Sequence, residues 1–345
     1  MASVNANVNL TSQLASHIVV PLTTFLNGNN TLFSESQPWI SDLRCSDQLS
    51  QAPMICHAAL DSDTNCDRFK LHLPYSQHTL IWEVIFDRRR NNQAPDFIFG
   101  EEDKDFNPDS EKLESLSYWN TSNANCFSLV IKELLLQYAL HQEKLLGANS
   151  RLSFECSKLR TSKDFDSFEI LVKKKNTNGY NSYFEANFLI RINLKSESLP
   201  HLKAGLNKSI QDFYANLLVT MVSNDTANVV TNLQINPWLE KLLGSNTTKQ
   251  CPRWGGSNAS SLLEYLTTVQ RYLQDKINRI GENFTRRKEL IESFKQHFNG
   301  ALLEYDSENY TSINLLLVTS GFYFILHGNV NYYLRVNIIF LLHFG

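Results

Sequence analysis

Between Phe69 and Gly147 the apolar residues change from every second position to helical spacing, and that change limits the chain to folds that join sheet and helix. Phe69, Leu71 and Leu73 share one side of an extended segment, Leu80, Trp82, Val84 and Phe86 make a second, and Phe97 and Phe99 follow Pro95. Successive side chains of a strand point to opposite faces, so these runs predict consecutive antiparallel strands joined at 74–78 and 88–94. Phe127, Val130, Ile131, Leu134, Leu135 and Tyr138 then follow the i, i+3, i+4, i+7 pattern of an amphipathic helix, with Asn125 placed to cap it and Gly147 to stop it. An earlier segment, 10–26, carries weaker helical spacing through Leu14, Ile18, Leu22 and Phe25, and Pro21 counts against it. Helix, strands, Pro-marked segment and helix predict an α+β fold with helices packed on one face or end of an antiparallel sheet.

From Arg151 to about Pro237 the pattern turns to long β-rich runs, 168–172, 183–194 and 213–222, separated by polar stretches with Gly179 and Gly205. This part is either a small β-rich domain or a degenerate copy of the first. The tract Gly255-Gly256-Ser257 breaks the chain, and Ser261 with Glu264 has the spacing of a capping box. Leu262, Leu266, Val269, Leu273, Ile277 and Ile280 predict a helix that ends at Gly281. A further helix holds Leu290, Ile291, Phe294 and Phe298 and stops at Gly300. Strand-like pieces follow at 302–305, 313–318 and 322–326.

At 345 residues the chain is long enough for two or three compact units. Its 42% hydrophobic and 19% charged residues supply real cores. Thirty-two Lys and Arg against 35 Asp and Glu leave a net charge of −3, which gives no global field for nucleic acid. The runs Arg88-Arg89-Arg90, Lys173-Lys174-Lys175 and Arg286-Arg287-Lys288 are short and are expected to be solvated faces. The six cysteines include no C-x-x-C pair, which points to a reducing compartment. The polar, Asn-rich residues 1–14 do not resemble a secretory leader, so the N-x-S/T triplets at Asn120, Asn246 and Asn309 carry no weight as glycosylation sites. The apolar stretch 313–345 is interrupted by Asn314, His327, Asn329, Asn331, Arg335 and Asn337, and buried sheet is expected there, not a membrane span.

Chemical motifs are scarce. The chain carries no Gly-rich phosphate loop, G-x-S-x-G elbow, H-E-x-x-H helix or Asp-rich calcium loop. Cys45, Cys56, His57 and Cys66 form one soft-ligand cluster, but their spacing matches no zinc ribbon or finger, and neither metal nor any other cofactor is expected. Cys126 lies where a helix dipole lowers a thiol's pKa, although the first turn of an amphipathic helix also suits a buried, inert thiol, which is preferred. Trp82, Phe97, Phe99 and Trp119 are candidates for a protein-binding platform, with sheet core the favoured alternative. His72 and His141 lack partners at ligand spacing and are taken as structural. No catalytic residue is expected.

The segment Asn65-Cys66-Asp67-Arg68-Phe69-Lys70-Leu71-His72-Leu73-Pro74-Tyr75 resembles the brain and reproductive organ-expressed (BRE) family, scaffold subunits of the BRISC deubiquitinase complex. So do Leu80-Ile81-Trp82-Glu83, Pro95-Asp96-Phe97-Ile98-Phe99-Gly100-Glu101, Ser117-Tyr118-Trp119-Asn120, Val130-Ile131-Lys132-Glu133-Leu134 and Ser150-Arg151-Leu152. The likeness returns at Arg286-Arg287-Lys288-Glu289, Ser293-Phe294, His297-Phe298 and Glu304-Tyr305-Asp306. It implies tandem ubiquitin-conjugating-enzyme-like (E2-variant) domains: a first over 1–150, a β-rich middle region over 151–257, and a second, incomplete one over 258–345. Conjugating enzymes carry His-Pro-Asn shortly before their cysteine. Residues 103–125 contain neither, and Cys126 falls at the start of the following helix.

The resemblance further implies a non-enzymatic, ubiquitin-binding scaffold, with partners that are ubiquitin or polyubiquitin, a JAMM-type zinc metalloprotease, an Abraxas-like scaffold and a small adaptor. It assigns no residues to the ubiquitin surface. Peptidase activity would reside in the metalloprotease, since His-x-His is absent here. Nuclear assemblies of this kind act at DNA double-strand breaks with the breast-cancer-susceptibility protein, so cytoplasmic and nuclear location is expected, without direct contact to nucleic acid or membrane. Past His327 the chain departs from the family pattern. Truncation or an altered exon is expected there, with a less stable second domain whose sheet is partly uncovered.

Overall fold

The computed structural model describes residues 14, 16–29, 40–44, 66–87, 90, 92–147, 149–165, 167–176, 182–195, 199, 213–223, 225–255, 261–319, 322–330 and 334–341. In chain order the elements are α1 (Ser16–Asn29), β1 (Ile40–Arg44), β2 (Arg68–Tyr75), β3 (His78–Ile85), β4 (Asp96–Ile98), α2 (Glu114–Ser117), α3 (Cys126–Leu146) and α4 (Ser150–Thr161). There follow β5 (Phe168–Asn176), β6 (Ser182–Asn193), β7 (Tyr214–Val222), β8 (Asp225–Ile235), α5 (Pro237–Leu243) and α6 (Leu262–His297). The described chain closes with β9 (Leu302–Tyr305), β10 (Ser312–Thr319), β11 (Phe322–Val330) and β12 (Leu334–Leu341). The fold is mixed α+β, as the change of period predicts. Its sheets run β1-β2-β3-β4, β5-β6-β7-β8 and β12-β11-β10-β9. Every pairing in the first and last is antiparallel.

The β2–β3 hairpin is tighter than its sequence suggests. Pro74, Tyr75 and His78 belong to the strands, leaving Ser76 and Gln77 as a two-residue turn with φ of 46° and 64°. That left-handed pair matches the twist of the flanking strands. Pro74 pairs with Thr79, whereas β1 ends its register at Leu71. The missing N–H of Pro74 therefore falls where β1 does not reach. Phe69, Leu71, Leu73, Trp82 and Val84 alternate into the core at 0–2% exposure. The same core takes Ile18, Leu22, Phe25 and Leu26 of α1 and Phe127, Val130, Ile131, Leu134 and Tyr138 of α3.

α1 continues through Pro21. A mid-helix proline costs about 3 kcal/mol, and burying each of the four apolar side chains returns roughly 1.5–3 kcal/mol. Asn125 precedes α3 as expected, yet its side chain makes no capping bond, while its backbone N–H donates to Asn123 Oδ1 at 3.0 Å. Gly147 ends the helix.

Gly281 does not end a helix. α6 is one element of 36 residues, and Gly281 continues its buried stripe from Ile277 to Phe284 and Ile291. A glycine inside a helix costs only ~1 kcal/mol, less than one buried leucine contributes, so the stripe decides. Five elements lack any counterpart in the predicted pattern: β1, α2, α4, on a stretch expected to open the β-rich region, β8, the fourth strand of the middle sheet, and α5. The apolar C-terminal stretch forms β10, β11 and β12, and no described helix is long and apolar enough to cross a membrane. The polar stretches with Gly179 and Gly205 lie outside the described residues.

The chain divides into two compact units. One comprises Met1–Ser157, Phe168–Leu189 and Val219–Val229, and the other Lys158–Ser167, Ile190–Leu218 and Val230–Gly345.

Candidate functional site

The region to examine for transfer chemistry is the loop from Gly100 into α3, which ends at Cys126. This loop is strapped to α3. Gln137 Oε1 accepts the Asp109 amide at 2.7 Å while its Nε2 donates to the Asp109 carbonyl at 3.0 Å. Glu133 accepts from the Ser115 hydroxyl at 2.6 Å and from its amide. Tyr138 Oη donates to Asp103 Oδ1 at 2.7 Å, and burial, reinforced by that carboxylate, raises the phenol far above its ordinary value. Glu133 and Gln137 lie four positions apart on one side of α3, and Tyr138 holds Asp103 from the buried stripe of the same helix.

Beneath the strap the loop inserts Phe106, 5% exposed, against Trp82 at 6.1 Å, Phe99 at 4.7 Å and Tyr138 at 5.1 Å. The space under the loop is occupied by rings. Trp82 is fully buried, Phe97 and Phe99 pack against the same core, and Trp119 lies 6.1 Å from Phe86, so these aromatics are core and not a platform.

Cys126 is 4% exposed, and burial pushes its thiol up, against two weaker backbone hydrogen bonds that lower it. The nucleophile in such chemistry is the thiolate, which this setting disfavours. Between Asp103 and Asn125 there is no cysteine or histidine. Among the four soft-ligand candidates, Cys45, Cys56 and His57 lie outside the described residues, and Cys66 is buried beside Leu14. No group of three potential metal ligands occurs among the described residues.

His72 shares a 2.7 Å hydrogen bond with Ser41 Oγ, and His141 packs 5.5 Å from Phe106. Burial lowers both imidazoles. The lysine run is locally paired: Lys173 sits 3.6 Å from Glu102 and Lys175 2.6 Å from Glu185. Arg287 donates to the Asn309 carbonyl at 3.2 Å, and Arg88 and Arg89 lie outside the described residues.

Two features escape the sequence patterns. The first is a polar network at the β2–β3 turn. The Ser76 amide donates to Glu169 Oε2 at 2.5 Å and its hydroxyl to the Asn187 carbonyl at 3.0 Å. The Asn187 side chain meets His78 Nε2 at 3.2 Å and Thr220 Oγ1 at 2.7 Å. Burial pushes the Glu169 carboxyl up and lowers His78, helped there by Lys173. The network holds the strained turn in place.

The second is an outer row on α3. Leu129, Leu136 and Leu140 are 40%, 65% and 49% exposed, with Lys132 and Lys144 exposed beside them. Spacings of seven and four align these leucines on the face opposite Tyr138. The leucines left outside the inner stripe are the signal that could have found them. Tyr118, 84% exposed, adds an apolar side chain on the loop.

Comparison with known proteins converges on one family. The family model described as brain and reproductive organ-expressed protein (BRE) matches residues 42–335. The chain is similar to BRISC and BRCA1-A complex member 2 of Branchiostoma floridae, at 33% identity over 84% of this chain and 73% of that protein. It is similar also to BRISC and BRCA1-A complex member 2 of Danio rerio, at 32% identity over 89% of this chain and 76% of that protein.

Proposed function

From the premise that the chain belongs to the brain and reproductive organ-expressed (BRE) family, we propose that it is a non-catalytic scaffold subunit of a BRISC-like deubiquitinase assembly. In this reading it binds ubiquitin chains and holds a JAMM-type metalloprotease, an Abraxas-like scaffold and a small adaptor. It serves in the cytoplasm and, in the response to DNA double-strand breaks, in the nucleus. The helix–meander–helix arrangement of α1, β1–β4 and α3 supports descent from the ubiquitin-conjugating fold, with a second, incomplete copy built on α6 and β9–β12.

One observation carries the proposal: Cys126, the thiol at the start of α3, is buried with its pKa raised, while the same helix turns Leu129, Leu136 and Leu140 to solvent. A helix that hides its sulfur and displays leucines is equipped to hold partners, not to carry a thioester. The test incubates the purified chain with ubiquitin, activating enzyme and ATP, and separately captures it from its own cell extract. No reductant-sensitive ubiquitin adduct and recovery of a metalloprotease subunit are expected. An adduct lost in Cys126→Ser would overturn the scaffold assignment in favour of a conjugating enzyme.

A further inference from the structure

In an Asn-Gly pair the backbone can attack the side chain before it, because glycine has no side chain to shield its nitrogen and leaves the backbone free to rotate. The chain holds three such pairs, Asn27-Gly28, Asn178-Gly179 and Asn299-Gly300. Asn178-Gly179 lies outside the described residues, and Asn27 belongs to α1, next to the buried Phe25 and Leu26.

Asn299 is placed differently. α6 ends at His297, where the Phe298 amide donates to the Phe294 carbonyl at 2.9 Å. Asn299–Ala301 then makes a single 3-10 turn with no buried residue, closed by the Ala301 amide on the Phe298 carbonyl at 2.9 Å. Asn299 and Gly300 are both exposed, and a side chain added at Gly300 would meet open space. The Asn299 side chain makes no hydrogen bond among the described residues. Hydrogen bonds in a 3-10 turn have poor geometry, so little opposes the rotation that brings the Gly300 nitrogen onto the Asn299 side chain.

We propose that Asn299-Gly300 is a site of spontaneous deamidation, and that its isoaspartyl product is a substrate for a methyltransferase that esterifies such residues with S-adenosylmethionine. The Gly300 nitrogen gives its proton to base and bonds to Cγ of Asn299. The Cγ–Nδ2 bond then breaks and ammonia leaves, which closes a cyclic imide. Water opens the ring at either carbonyl: attack at Cγ gives aspartate, and attack at the backbone carbon gives isoaspartate. Isoaspartate adds a methylene to the main chain just before Leu302, which pairs with the buried Leu315 of the last sheet. Both products also set a carboxylate just past the C-terminus of α6, the helix end that disfavours negative charge. Modification at Asn299 therefore loosens the start of β9.

The test ages the full folded chain at body temperature and mildly alkaline pH in water enriched in oxygen-18, beside a sample unfolded in guanidinium. Peptide mass spectrometry should find a heavy oxygen gained at Asn299. Its rate should lie within about threefold of the unfolded sample, since segments with few buried contacts open at almost no cost. Asn27 should convert more slowly in the folded chain and as fast as Asn299 in the unfolded one. The aged chain should accept labelled methyl groups from S-adenosylmethionine in the presence of an isoaspartyl methyltransferase. Gly300→Val, for which the fold leaves room, should slow conversion at Asn299 by about tenfold or more, because a branched side chain crowds the attacking nitrogen, and should leave Asn27 unchanged. An Asn299 that stays intact in the folded chain while the unfolded sample reacts would overturn the proposal. So would equal rates at Asn27 and Asn299 in the folded chain, or aspartate as the sole product with no methyl acceptance.

Discussion

Glu169 is a carboxylate whose charge the fold tolerates poorly. Burial raises its pKa, and the Ser76 amide offsets this only in part. A group raised in the folded state contributes stability fully below its ordinary value of 4.5 and loses that contribution as pH rises through the folded value. Glu169→Gln keeps an oxygen for the Ser76 amide and removes the titration. The variant should match the wild type near pH 4 and become more stable, by on the order of 1 kcal/mol, at neutral pH. Urea unfolding midpoints at both values measure this, and an equal difference at the two would count against it. Cys126 offers a second check at the same scale. Its raised pKa and 4% exposure leave little accessible thiolate, so iodoacetamide at about pH 8 should leave it unmodified in the folded chain and alkylate it after denaturation. Peptide mass spectrometry locates the label, and rapid native labelling would show that the first turn of α3 opens.

Elements in this chain are set by burial where it is strong and by local chemistry where it is not. At the β2–β3 turn, Gln77 is exposed at φ 64°, a conformation costing a side-chain-bearing residue roughly 1–2 kcal/mol. Gln77→Gly removes that cost and adds some unfolded-state entropy, so a net gain of about 0.5–1 kcal/mol is expected from thermal unfolding. A destabilised variant would mean that Gln77 is held by contacts beyond its backbone. Helix starts make a second contrast. Asn236 Oδ1 accepts the Trp238 amide at 3.0 Å to cap α5, whereas Asn125 caps nothing. Asn236→Ala should therefore cost about 1 kcal/mol and Asn125→Ala less than about half of that, measured by chemical denaturation. The same contrast explains what was legible in the residues. Alternation from Phe69 to Phe86 and the stripe from Phe127 to Tyr138 disclosed the first sheet and α3, because one face of each is buried. β8 was hidden, since Asp225–Ile235 mixes Asn and Thr with its few apolar residues. α4 was hidden by a polar composition, and Gly281 masked the continuity of α6 because residue type alone does not reveal burial. Of the candidate site, the absence of a loop cysteine was legible and the outer row could have been read from the leucines left outside the inner stripe, but the Ser76 network depends on contacts that local patterns do not encode.

At the scale of the whole chain, stability should be uneven. The core of the first sheet gathers buried side chains from α1, β1–β4 and α3, among them Phe69, Trp82, Phe127 and Tyr138, all at 0% exposure. The corresponding cluster on the last sheet, among the described residues, consists of Ile291, Ile313 and Leu315, with Leu290, Phe294, Leu302 and Leu326 only partly buried beside it. The buried stripe of α6 reflects the same gradient: Leu262, Tyr265, Leu266, Val269, Leu273 and Ile277 crowd its first half, and beyond Gly281 only Phe284 and Ile291 are buried. Segments with few buried apolar contacts open at lower free energy than the global transition and are cleaved from that open state. Limited proteolysis of the isolated chain should therefore cut within 299–341 early, while the segment carrying β2, β3 and α3 persists. Cleavage confined to 150–255, with 258–345 resistant, would show that the last sheet is held by more than its own core.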